Sequence, residues 1–83
     1  MSISENKAKK LITRNVVVIR QDIGLTQDEM ASVTDVSRRT IQRIEKASQL
    51  GLSYNPTLST VIKIANAFNV TIQDLVAEKL EVQ

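Results

Sequence analysis

The sequence contains no cysteine and no histidine. Without cysteine there is no disulfide framework and no thiolate metal site, a composition that fits the reducing cytoplasm. Without either residue the usual zinc sites, imidazole acid–base catalysis and Ser-His or Cys-His nucleophiles are excluded. Carboxylate-only chemistry remains, but no paired acids in a pocket-like context stand out, so neither an enzyme nor a bound cofactor is expected. Tryptophan is absent, and Tyr54 and Phe68 are the only aromatic residues. The core must therefore be aliphatic, and the stacking platforms on which single-stranded nucleic acid rests are missing. No apolar run approaches the length of a bilayer span and no signal-peptide core opens the chain, which predicts a soluble, cytoplasmic protein. At 83 residues the chain suffices for one domain with one small core, leaving no room for a separate oligomerisation or effector domain.

Charge is present in both signs, with 11 basic and 9 acidic side chains and a net charge of +2. A balance this even says little about a partner, so its distribution matters more. Lys7, Lys9, Lys10 and Arg14 cluster near the start, Arg38, Arg39, Arg43 and Lys46 in the middle, and Glu78 and Glu81 at the end. Within the stretch VSRRTIQRIEK, residues 36–46, a helical repeat of about 100° per residue places Arg38, Gln42, Lys46, Arg39 and Arg43 within an arc of roughly 140°, opposite Ile41 and Ile44. Such a face is either an ordinary solvated surface or a cationic binding face. The position of the arginines favours the second. Ser37 is a natural N-cap, so Arg38 and Arg39 occupy a first turn where the helix dipole makes a cation cost on the order of 0.3 to 1 kcal/mol. The second and fifth expected helices carry acids there instead, Asp28 and Glu29 after Thr26, and Asp74 after Thr71. Two arginines on a positive helix end suit an approaching polyanion, most simply phosphate.

Helix punctuation divides the chain into five segments and no strand. The first begins at Ser4 or Lys7, carries Leu11, Ile12, Val16, Ile19 and Ile23 on one face, and stops at Gly24. Residues 1–10 are thus a basic arm or the first turn of this helix, residues 11–77 the folded domain and residues 78–83 a tail. Thr26-Gln27-Asp28-Glu29 forms a capping box, with Leu25 stapled to Met30, for a second helix of about Gln27 to Val33. Thr34-Asp35-Val36 makes a turn. Ser37 opens a third helix that runs to about Leu50, before Gly51. Thr57, after Pro56, caps a fourth with Leu58, Val61, Ile62, Ala65 and Phe68 at helical spacing. Asn69 is a left-handed terminator, and Thr71 opens a last helix with Leu75, Val76 and Leu80. The run Val16-Val17-Val18-Ile19 is the weakest point of the helical reading, since β-branched residues are poor helix formers. Two short helices across a tight turn, the second basic on its outer face, form the arrangement of a helix-turn-helix in a compact all-α bundle.

LTQDEMASVTDVSRRTIQRIEK followed by NPTLSTVIKIANAFNVTIQDLV resembles the lambda-repressor and Cro-like, or XRE, family of helix-turn-helix domains, over about Ile12 to Val76. The resemblance implies a compact five-helix domain that binds duplex DNA as a homodimer, with the third helix in the major groove. By position it implies that Gln27 touches a backbone phosphate, that Arg38, Arg39 and Arg43 reach base edges with Gln42 and Lys46 beside them, and that Ser37 and Thr40 serve as cap and backbone contacts. It also implies an ion pair between Arg20 and Glu45 tying the first helix to the third. The sequence departs from the family pattern in two places. Thr34 and Asp35 stand where a leucine and a glycine are frequent, and ASQLGLSY after Lys46 lengthens the next connection, either extending the helix or forming a loop with phosphate contacts at Ser48, Ser53 or Tyr54.

With no spare domain, the dimer interface must come from the fold itself. Val70, Ile72, Val76 and Leu80 either supply it or complete the core, and Val17 and Val18 form a second candidate patch because both cannot face inward. The expected function is a sequence-specific transcriptional regulator, most simply a repressor covering a pseudo-palindromic operator. The alternative is an antitoxin or protein-interaction module with autoregulatory DNA binding, whose partner is a toxin. An activator would further need a surface for RNA polymerase, for which Asp28 and Glu29 are candidates.

Overall fold

Each helix in the chain starts at a side chain that can accept a hydrogen bond from the exposed first turn. The computed structural model describes residues 3–78, and among these it shows five helices and no strand: α1 (Glu5–Ile23), α2 (Gln27–Thr34), α3 (Arg38–Gln49), α4 (Leu58–Ala67) and α5 (Ile72–Leu75). Ser4, Thr26, Ser37, Thr57 and Thr71 cap them, each accepting from a backbone N–H three residues on. In α2 and α5 the box is reciprocal, with Glu29 and Asp74 reaching back to the backbone N–H of Thr26 and Thr71. Each such cap stabilises a helix end by about 1 kcal/mol. Gly24 and Asn69 take left-handed conformations, at φ 82° and 54°, and end α1 and α4 as their residue types suggest.

The β-branched run is helical because packing outweighs propensity. Val16 and Ile19 are fully buried, each gaining roughly 1.5 to 3 kcal/mol against a helix-propensity deficit of about half a kcal/mol. Val17 and Val18 flank them, half-buried. Met30, Ile41, Ile44, Ile64 and Leu75 complete the centre of the core, and Leu25, Phe68 and Val70 close its edges. The core of α1 differs from the expected apolar face. Ile23 is exposed and Ile12 half-buried, whereas Thr13 and Asn15 are buried with their polar groups bonded. Helix α4 faces inward through Val61, Ile64 and Ala65, with Phe68 half-buried on the same side. That direction leaves Ile62 roughly 110° away on the helical wheel and exposed; Leu58, in the first turn of α4, is exposed as well. Leu80, expected on the last helix, lies outside the described residues.

The basic start of the chain is helix rather than arm from Glu5 onward, and Lys7, Lys9 and Arg14 have partners. Lys9 pairs with Glu5 at 3.1 Å and Lys7 with Glu78 at 2.5 Å. Arg14 donates through Nη2 to the carbonyls of Ala77 and Glu78. Lys7 and Arg14 thus hold Ala77 and Glu78, the last described residues, against α1; Glu81 lies outside the described residues.

Candidate nucleic-acid interface

Helix α3 is set by its buried side. Ile41 and Ile44 are inserted in the core, and Glu45, between the basic residues in sequence, turns inward and is only 5% exposed. Its carboxylate receives Arg20 in a bidentate pair, Nε to Oε2 at 2.5 Å and Nη2 to Oε1 at 2.7 Å. Arg20 Nη1 also donates to the carbonyl of Leu25 at 2.8 Å, so one guanidinium joins the end of α1, the start of α2 and the middle of α3. Gln27 adds a third support, its amide donating to Glu45 Oε1 at 3.3 Å. The expected tie between Arg20 and Glu45 is therefore present. Gln27, expected at a phosphate, is half-buried and buttresses that tie through one side-chain N–H.

The turn is built from residues that were a departure from the family pattern. The Thr34 hydroxyl donates back to the carbonyl of Met30 at 2.7 Å, which lets a polar residue be buried where a leucine is frequent. Asp35 takes the left-handed conformation, φ 57°, and Lys63 of α4 sits over it, donating to its carbonyl at 3.2 Å and lying 3.6 Å from its carboxylate. Val36 plugs the turn, almost wholly buried. Ser37 then caps α3, accepting from the backbone N–H of Thr40 and donating to its hydroxyl.

These supports leave the other face in solvent. Arg38, Arg39, Gln42, Arg43 and Lys46 are all exposed, and Thr40 is half-buried beside them. Among the described residues no carboxylate pairs with Arg39, Arg43 or Lys46, whereas Arg38 Nε lies 3.0 Å from Asp28 Oδ1 on α2. Sequence reasoning assigned Asp28 to the helix dipole or to a polymerase-facing surface and missed this pair. Lys63 was likewise missed, since nothing in the sequence reveals that α4 crosses the turn. A 12-residue helix is about 18 Å long, and α3 presents its cationic, dipole-positive end to solvent.

The connection after Lys46 is tied back to α1 at Tyr54, while Leu50 and Leu52 stand exposed. Gly51 is left-handed at φ 69°, and the backbone N–H of Tyr54 donates to the buried hydroxyl of Thr13 at 3.0 Å. The Tyr54 side chain packs on the core, and Ser48 and Ser53 are half-buried. Among the described residues no group of acids could hold a metal ion, and no helix is long and apolar enough to cross a membrane.

Residues 19–75 match the helix-turn-helix family. Two uncharacterized HTH-type transcriptional regulators of Archaeoglobus fulgidus are 43% and 39% identical over 56 residues, 68% of this chain and 73% and 72% of theirs. One from Methanocaldococcus jannaschii is 43% identical over 52 residues, 63% of this chain and 71% of that protein. No solved structure matches the chain. The match spans the capped α2, the turn and the buttressed α3 together, and the chain belongs to the XRE-type helix-turn-helix family of transcriptional regulators.

Proposed function

We propose that the protein is a sequence-specific, double-stranded-DNA-binding repressor that reads a pseudo-palindromic operator as a homodimer, in the cytoplasm. The observation that carries this reading is the division of α3, with Ile41, Ile44 and Glu45 buried and Arg39, Gln42, Arg43 and Lys46 exposed along the opposite side. A planar guanidinium can donate two hydrogen bonds to the O6 and N7 atoms of guanine, and each such pair discriminates by about 1 to 3 kcal/mol. Guanine belongs in each half-site, with Arg38, Arg39 and Arg43 as readers, Gln42 beside them, and Ser37, Thr40, Gln27 and Lys46 toward the backbone. Two half-sites about 34 Å apart multiply a discrimination that one short helix cannot supply.

Of the described residues proposed for the dimer contact, Ile72 is the best exposed, at 44%. Val76 is half-buried, and Val70 packs on the core and contributes at its rim. Selection from random duplexes tests the reading. It should return an inverted repeat with guanine in each arm, and Arg39→Ala and Arg43→Ala should each relax one base position. Weakening that is uniform across all positions would confine these arginines to the phosphates. Light scattering with and without the selected duplex reports the dimer, and a monomer in both states at tens of micromolar would remove it.

A further inference from the structure

The ion pair between Arg38 and Asp28 is unlike the others on the surface. Lys7 and Lys9 pair at the start of the chain and Lys63 pairs across the turn, whereas this pair joins the first turn of α2 to the first residue of the proposed reading helix. Its members are 58% and 69% exposed, so in water it contributes little to stability. Its placement carries a cost as well. Asp28 sets a negative charge beside the face that would meet phosphate, where Coulomb repulsion opposes any duplex regardless of sequence. If α2 needed only an acid for its dipole, Glu29 already supplies one within the capping box.

The geometry points to Asp28 as a positioning residue that confers specificity on Arg38, and this inference rests on the reading of α3 as the base-contacting helix. The carboxylate lies 3.0 Å from Nε, the inner guanidinium nitrogen. The two outer nitrogens are then left to form a fork for the O6 and N7 acceptors of one guanine in each half-site. An arginine held in this way has less rotamer freedom to lose on binding, and it is also kept from swinging to the nearest phosphate. As water leaves the groove the pair strengthens, because the local dielectric falls. Asp28 thus exchanges general affinity for discrimination at one position.

That exchange gives a signature with two opposite signs. Selection from random duplexes, and affinity for an unselected duplex, would be measured for the wild-type chain, Asp28→Asn, Asp28→Glu and Arg38→Ala, with thermal melts to establish folding. Wild type should show one guanine position that Arg38→Ala relaxes. Asp28→Asn should lower guanine preference at that position about five- to tenfold, leave other positions unchanged, and bind the unselected duplex more tightly. Asp28→Glu keeps an acid at the helix start but moves the carboxylate by one methylene, and it should lose the preference while keeping the melting temperature. Retention of the preference in both Asp28 variants, or equal relaxation at every position, overturns the inference while leaving the reading helix in place. If Arg38→Ala relaxes no position, the assignment of Arg38 as a base reader fails, and this inference fails with it.

Discussion

Glu45 is the residue whose loss should reach furthest. It is buried, accepts both arms of Arg20 and receives Gln27 as well. Removing one partner of such a pair leaves an uncompensated charge, at a cost of about 3 to 5 kcal/mol. That is a large share of the roughly 5 to 15 kcal/mol that stabilises a domain. Glu45→Ala should therefore lower both chemical-denaturant stability and duplex affinity, and an unchanged unfolding midpoint would remove the pair from this account. Asp35 should respond in the opposite direction. A non-glycine residue in the left-handed region costs on the order of 1 kcal/mol, and the Lys63 contact to its carboxylate is an exposed one at 3.6 Å, worth little. Asp35→Gly should raise stability by about 0.5 to 1 kcal/mol and keep the Lys63 bond to the backbone carbonyl, which melting curves would show.

At the scale of the element, the start of α2 titrates. The backbone N–H of Thr26, together with its hydroxyl, holds the Glu29 carboxyl below the usual glutamate range. A pKa lowered by folding stabilises the native state above the unfolded value, and the contribution fades as pH falls through that range and below. The Glu78 carboxylate behaves alike, lowered by Lys7. Stability should thus decline from about pH 5 downward, and Glu29→Gln should flatten part of that decline in melts taken across it. The elements themselves were legible because their ends are chemical: Ser37, Thr26, Thr71, Gly24 and Asn69 each announce a boundary through what their side chains or φ angles allow. Inward faces were less so. Periodicity placed Ile23, Leu58 and Ile62 in the core, where the helices have nothing to cover them, and passed over Asn15 and Thr13, whose burial depends on partners 40 to 60 residues away.

For the whole molecule, the same limit separates the outward arginines from what holds them. The basic arc of α3 follows from spacing alone. That Lys7 and Arg14 close the fold on its last described residues, and that Lys63 sits over the turn, follows only from how helices cross. Asn15 is the centre of that closure. Its amide donates to the carbonyls of Leu75 at 2.7 Å and Ala77 at 2.9 Å, while Arg14 donates to its oxygen. Asn15→Leu should strand the Leu75 carbonyl, while the Ala77 carbonyl keeps Arg14, and cost about 1 to 3 kcal/mol, which denaturant unfolding would measure.

Helix α5 has four residues, too few to persist alone. Yet the clasp from Asn15 hangs it on the same rod that carries Arg20. In deuterium exchange, then, the amides at Leu75 and Val76 should not fray early as a terminal turn would. They should open on the timescale of α3, so that the last described helix and the helix bearing the exposed arginines come apart in one event.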